Sequence, residues 1–447
     1  MTTLQKQPKR PRLAIIGGGL AGLAAAVAAV EQGIEVELFE ARRRLGGRAG
    51  SFHETQSDEL IDHCQHVSMG CCTSLADFCR RTGIADCFRR YERLTFIGPD
   101  GRPCNFSASR WLPAPLHLLP GLMRLDYLGV AERCRIPKTM LRLARLPIRG
   151  DEDPRTVEAW LREQGESEQA IRRFWAVVLV SALGETLDRA SLAAAQKVFA
   201  DGFLGSRHAY ELEIPQVPLG EIYDRRLAAW LAAHNVPVHL STRVKMLEDD
   251  GQRVTSLVLP DGSRRPFDYF LVAVPWHQVR TLFSESMLHA LPALADVEQI
   301  AASPITGVHL WFDRPIMSLP HAVLIDRLGQ WVFRRDAARH YYQVVISASG
   351  ELKGRGREEV VHQIVDELAD IWPAARDAQL VHWRMVTEPL AVFSVRPGLD
   401  RLRPSQSTPI PNLLLAGDWT STGWPATMEG AVRSGYLAIE SLLRRVR

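Results

Sequence analysis

A chain of 447 residues with 46% hydrophobic and 23% charged side chains has room for two or three domains and the balance of an ordinary globular protein. Lysine and arginine number 54 against 51 aspartates and glutamates, so the net charge of +3 supplies no global field for nucleic acid. Seven cysteines without a C-x-x-C pair argue against zinc or a redox dithiol; with no signal peptide, reduced cytosolic thiols are the expectation.

Residues 1–12 are polar and basic and read as a disordered lead-in. The chain is organised around the stretch from Leu13 to Glu40. An apolar run, Leu13 to Ile16, meets Gly17-x-Gly19-x-x-Gly22, then an Ala-rich segment with helical length, then Gly33. Ile34, Val36 and Leu38 alternate with Glu35 and Glu37 up to Glu40. The pattern predicts strand, glycine turn, helix, strand and acid. In such a unit a diphosphate rests on the open amides at the helix start, and the acid reaches the adenosine ribose. Residues 13–30 carry no charge and come after basic residues, so a signal peptide or membrane span is the competing reading. The three consecutive glycines suit neither, and neither explains Glu40.

Directly after Glu40 come Ala41-Arg42-Arg43-Arg44-Leu45-Gly46-Gly47-Arg48. A basic run is commonly a solvated face. Here glycine amides and an arginine could reach the same diphosphate from its other side. Glu40 to Arg48 resembles the second fingerprint of the flavoprotein superfamily that holds amine oxidases and carotenoid-type desaturases. The resemblance implies FAD rather than NAD. It also implies an α/β fold: a Rossmann-type FAD-binding domain of the amine-oxidase and phytoene-desaturase type, with a discontinuous α+β substrate domain.

Asp62-His63-Cys64-Gln65-His66-Val67-Ser68-Met69-Gly70-Cys71 resembles one branch of that superfamily, the hydroxysqualene dehydroxylases of hopanoid synthesis. Relatives carry Asn-Gly where this chain has His63-Cys64, and Tyr where it has Cys72. In related flavoproteins this segment runs along the flavin ring, which makes Asp62, Gln65 and His66 the candidate catalytic residues. The bland reading is satisfied loop or core histidines. Thr73 to Arg81 predicts a short helix burying Leu75, Phe78 and Cys79, with Cys72 on the same face.

Residues 102–149 hold an apolar, Pro-broken stretch from Trp111 to Met123 and nine Lys/Arg against Asp126 and Glu132. That suits a surface dipping into anionic lipid, or helices with a basic outer face over a core. The corresponding expectation is a cytoplasmic protein, peripheral on the inner face of the cytoplasmic membrane. Residues 153–205 read as helical. The stripe Ile171, Phe174, Trp175, Val178 and Leu179 is by pattern more often core than ligand wall, although Phe174-Trp175 resembles the substrate domain of the same branch.

Strand signals then return: Val238 to Leu240, Thr242 to Leu247, Val254 to Leu259 and Phe270 to Val274. The resemblance places backbone near Val244 against adenine. Asn412 to Asp418 predicts a strand ending in glycine and acid, then a turn and a helix from Pro425 to Arg445. This resembles the third FAD motif of the superfamily, with Asp418 on the ribityl chain. Gly430 and Ala431 would lie at a helix start facing the pyrimidine edge, where the dipole stabilises the anion of a reduced flavin. Gly430 and Gly435 each cost about 1 kcal/mol in a helix, and close ring approach would be a reason to keep them.

The expected FAD cradle is therefore Gly17, Gly19, Leu20, Ala21, Gly22, Glu40, Ala41, Arg42, Gly46, Gly47, Arg48, Val244, Gly417, Asp418, Gly430 and Ala431. Residues 1–72, 206–275 and 386–447 are assigned to the cofactor domain, and 73–205 and 276–385 to the substrate domain. The resemblance implies reductive dehydroxylation of hydroxysqualene to squalene. The leaving hydroxyl needs a proton donor within about 3 Å. His66 is the first candidate, and Asp62 serves if burial raises its pKa or if it orients His66. A C30 chain needs a dry tunnel, expected from 102–200 and 305–345. A single dinucleotide fingerprint leaves the electron donor open. The competing functions are a carotenoid-type desaturase and, in a different class, a non-catalytic isoprenoid-lipid carrier.

Overall fold

The computed structural model describes residues 10–148, 154–336 and 338–446. Residues 1–9 of the expected lead-in, and Arg149 of the basic segment, lie outside the described residues.

The first strand, Arg12–Ile16, buries four of its five side chains because it is central in a five-stranded parallel sheet. The sheet runs in the order Val238–His239, Glu35–Phe39, Arg12–Ile16, Tyr269–Val272, Leu413–Leu415. Strands buried on both faces need continuous apolar sequence, as Leu13 to Ile16, Phe270 to Val272 and Leu413 to Leu415 provide. The helix Leu20–Glu31 covers one face and packs against the terminal helix Met428–Val446. The membrane-span reading of 13–30 gives way, since the segment divides into a strand and a 12-residue helix. Among the described residues no helix is long and apolar enough to cross a membrane.

Two glycines make this layer possible. A β-carbon on Gly22 would lie 1.9 Å from the Gly17 carbonyl oxygen, and one on Gly435 would lie 2.4 Å from the Ala21 carbonyl oxygen. The second contact corrects the expectation for Gly435: it lets two helices touch, and close flavin approach is not its reason.

The second half is built on a seven-stranded sheet. Its order is Leu380–Phe393, Ala302–Phe312, Tyr341–Ser347, Trp331–Asp336, His321–Leu324, Leu94–Ile97, Pro103–Phe106. Helical segments between Val130 and Leu204 lie beside it, three of them tied by Ser or Thr caps at Thr156, Ser167 and Ser191. Ile171–Trp175 and Val198–Leu204 are wide, π-type turns.

Two expected boundaries move. The helix Thr73–Arg81 forms at the expected residues, but Leu75, Phe78 and Cys79 share an apolar cluster with Leu13, Ile15 and the two layer helices. It therefore packs with the cofactor half. Cys72 precedes the helix and, half-buried, packs against the same cluster, as expected. The strand Leu380–Phe393 runs unbroken through the expected division at 385, because its pairing with Ala302–Phe312 extends to Phe393.

Candidate active site

The polar cradle is assembled from three remote segments. Gly17 turns at φ +115°, which only glycine adopts without strain, and its amide donates to the Phe39 carbonyl at 2.8 Å. Gly19 precedes the first layer helix, which has no side-chain cap and no acid in its first turn. Its leading amides are thus open to an anion. The second segment lies against the first: Gly46 N–H donates to Gly18 O at 2.9 Å, and Gly19 and Gly46 form an isolated parallel bridge. Glu40 is buried, accepting from the Gly18 amide at 2.6 Å and the Arg42 amide at 2.8 Å. The third segment arrives from the chain end. Arg48 Nη2 meets Asp418 Oδ1 at 2.6 Å, while Arg48 Nη1 donates to the Ala391 carbonyl at 2.9 Å.

These segments line one cavity of about 910 Å³. Gly17, Gly19, Leu20, Ala21, Glu40, Ala41, Arg42, Gly46, Gly47, Arg48, Val244, Gly417, Asp418 and Ala431 all face it. Gly22 and Gly430 do not. A β-carbon on Gly430 would lie 2.9 Å from Pro425 O, and its amide is taken by Thr427 Oγ1 at 3.0 Å. The Ala431 amide is likewise bonded to Thr427 O at 3.0 Å. The helix-start groups in the lining also include Met428 and Glu429. The Glu429 carboxylate receives the Ser74 and Leu75 amides at 3.0 and 2.8 Å, joining the terminal helix to Thr73–Arg81.

Beyond the cradle the cavity becomes apolar. Leu94, Phe96, Val177, Val178, Val198, Phe203, Leu212, Trp331, Phe333 and Val345 form this arm. The expected tunnel segments are only partly right: no lining residue comes from 102–176. Phe174 and Trp175 are core, as their pattern suggested, and the lining begins with Val177 a little further along the chain.

The candidate catalytic residues separate. His66 and Gln65 line the cavity, and Asp62 does not. Asp62 is 2% exposed, and its oxygens are occupied by Ser51 Oγ at 2.6 Å, the Leu219 amide at 2.7 Å and Arg335 Nη2 at 3.2 Å. It neither reaches a ligand nor touches His66 through a hydrogen bond, so both roles offered for it are corrected. His66 Nδ1 lies 3.0 Å from the Cys64 carbonyl. A carbonyl only accepts, so Nδ1 carries the proton and the neutral ring has Nε2 free as an acceptor. Burial lowers the His66 pKa, with opposing contributions from the Cys64 carbonyl and Asp62. His66 rests as an acceptor, contrary to the acid expected from sequence. Gln65 Nε2 donates to His66 O at 2.8 Å, and its Oε1 is buried without a partner in the lining.

Several groups were not legible in the sequence. His63 lines the cavity with Nε2 3.2 Å from Arg44 Nη2. Its pKa is lowered by burial and by that guanidinium. Buried Arg403 holds the loop after Asp418, reaching the carbonyls of Asp418, Thr420 and Trp424 at 3.0, 2.7 and 2.8 Å. Lys197 and Trp424 also face the cavity.

An anion-ready helix start, a buried acid at the end of the second strand and the Asp418 carboxylate, converging on one cavity, mark a dinucleotide-binding site. The orphaned Gln65 oxygen and the open amides fit a large polar cofactor. The chain belongs to the flavin containing amine oxidoreductase family, whose profile matches residues 20–442, and its cofactor is FAD.

Among its relatives, the hydroxysqualene dehydroxylase of Rhodopseudomonas palustris is 29% identical over 96% of this chain and 97% of its own length. The 15-cis-phytoene desaturase of Solanum lycopersicum is 25% identical over 98% of this chain and 79% of its own length. The fold is shared with putrescine oxidase bound to putrescine, at a TM-score of 0.73 and 17% identity over 98% of this chain and 100% of that one.

Proposed function

We propose that this flavoprotein reductively dehydroxylates hydroxysqualene to squalene. The observation that carries the reading is the set of apolar side chains that share one cavity with the FAD cradle. An arm of that chemistry suits an isoprenoid hydrocarbon and repels a small charged amine. Relatives that cover nearly the whole chain bear the same activity in their names. Reduced FAD supplies a hydride. The chain's own residues hold the cofactor through Gly17 to Ala21, Glu40, Arg48 and Asp418, keep water from the hydrocarbon with Phe96, Val178, Phe203 and Phe333, and set His66 and Gln65 beside the ligand as acceptors.

That acceptor character supports a second reading. Desaturation removes a proton as well as a hydride, and a neutral histidine can take it. A carotenoid-type desaturase therefore stays in contention, and relatives of that kind match at similar identity. Product analysis separates them. The reduced protein, held anaerobically, is expected to convert hydroxysqualene to squalene, and the oxidised protein is expected to leave phytoene unchanged. Conjugated products from phytoene, with hydroxysqualene recovered intact, would reverse the assignment.

The same reading includes peripheral contact with an anionic membrane. Trp111 is 93% exposed and Val130 69%, with Leu116 and Leu119 also exposed. A surface cleft in the same basic segment is lined by Lys138, Arg142 and Arg145. Each such cation contributes about 1 kcal/mol near an anionic surface. The protein should co-sediment with phosphatidylserine-containing vesicles and be released by salt, and Trp111→Ser should weaken binding. Equal recovery with neutral vesicles would contradict the contact.

A further inference from the structure

We propose, on the basis of that reading, that Lys197 is the cation that meets the substrate oxygen and delivers the proton with which it leaves. Asp62 is sealed away from the cavity, and His66 and Gln65 offer acceptors. The polar atoms of the apolar arm are largely satisfied among themselves: Trp331 Nε1 donates to Ser181 Oγ, and Ser181 Oγ to Val177 O, each at 2.8 Å. Among the described residues of 73–205 and of the strands of the second sheet, Lys197 and Glu388 are the charged side chains in the lining, and Lys197 alone of the two can donate.

Its place in the cavity is specific. Lys197 Nζ lies 4.8 Å from the centre of the Trp424 ring. Trp424 belongs to the loop that Arg403 fixes between Asp418 and the terminal helix, on the cofactor side. Lys197 comes from the substrate side, at the end of Leu192–Lys197. The ammonium thus joins a substrate-side helix to a cofactor-side loop, both in the lining of the one cavity, and would meet the oxygen of an apolar alcohol there. The next turn, Val198–Leu204, is wide, and both Val198 and Gly202 line the cavity. Asp201 pairs with the ammonium from this turn. An ammonium carries three protons. One goes to Asp201, the Trp424 face takes the charge by a cation–π contact, and a donor is left for a ligand.

The step balances. The carbon–oxygen bond breaks with its electron pair moving to oxygen, and oxygen takes a proton from the Lys197 ammonium and leaves as water. Reduced flavin, when bound, would supply the hydride that the carbon gains and would give up two electrons in doing so. The Lys197 amine regains its proton from solvent, to which its side chain is 32% exposed.

The test measures binding without turnover. Oxidised holoprotein cannot supply hydride, so hydroxysqualene and squalene can each be titrated against the flavin absorbance. Wild-type protein should bind the alcohol ~10-fold or more tightly than the hydrocarbon, the scale of a hydrogen bond to a charged group. Lys197→Met, similar in length and uncharged, should abolish that preference and slow squalene formation, with the flavin spectrum retained. Lys197→Arg should restore the preference. A Lys197→Met protein that keeps the wild-type preference, or a wild type with none, would overturn the assignment and leave Lys197 a surface ion pair. If the reduced wild type makes no squalene while Lys197→Met still loses the preference for a long-chain alcohol, the activity reading fails and the binding role of Lys197 stands.

Discussion

Gly22→Ala should yield a protein without flavin. The added methyl would sit 1.9 Å from the Gly17 carbonyl oxygen and 3.2 Å from Ile15 Cγ2. Neither can step aside. Ile15 is wholly buried in the central strand, and Gly17 is held by the hydrogen bond its amide donates to Phe39 O. The helix must therefore move off the strand, taking the open amides of Leu20 and Ala21 with it. Overpacking of this kind costs about 3 kcal/mol at the upper end of its range, so FAD affinity should fall ~100-fold or more. Purified variant should lack the flavin absorbance and regain it only at high added FAD. A yellow variant with wild-type affinity would mean that the cofactor does not rest on this turn.

Asp62→Ala is expected to act on stability and not on the chemical step. The side chain is buried, and three donors converge on it. Removing it leaves Arg335, 10% exposed, as an unpaired charge and strands the Leu219 amide and the Ser51 hydroxyl. Breaking a buried pair from one side typically costs about 3–5 kcal/mol. Leu219 begins the approach to the wide turn at Glu221–Arg226, while Arg335 comes from the second sheet, so the lost carboxylate loosens the join between the halves. Urea unfolding should show a much lower midpoint, and turnover per bound flavin should stay within a few-fold of wild type. Full stability with turnover abolished would restore Asp62 to the reaction.

The first motif was legible because its parts act on one another locally. A strand, a turn, a helix start and an acid 18 residues after Gly22 need little from the rest of the chain. Asp418 was legible by resemblance, and its pairing with Arg48 came from the fold. Gly430 and Gly435 are ambiguous in the sequence for the opposite reason. A glycine in a helix signals close approach without naming what approaches. The answers are Pro425 on the same turn and Ala21 near the other end of the chain.

Asp62 and His66 look alike in sequence as polar residues beside a flavin segment. The hairpin Ser51–Glu54 with Glu59–Asp62 turns one into the protein, while the Cys64 carbonyl fixes the proton of the other. Lys197 is not legible as a site residue because an i, i+4 pair with Asp201 on a helix reads as solvated surface. Only the partner across the cavity, Trp424, gives it a second meaning. The division at 385 does not coincide with an element boundary, because the edge strand Leu380–Phe393 continues past it through Pro389, paired with the same neighbour on either side.

On the proposed function, three segments hold one FAD beside an apolar pocket, where hydride replaces the hydroxyl of the substrate. A single anaerobic turnover tests it most directly. Holoprotein reduced stoichiometrically and mixed with hydroxysqualene should recover its oxidised-flavin absorbance, with one squalene formed per flavin reoxidised. A flavin that stays reduced while hydroxysqualene is recovered unchanged would exclude hydride replacement of the hydroxyl.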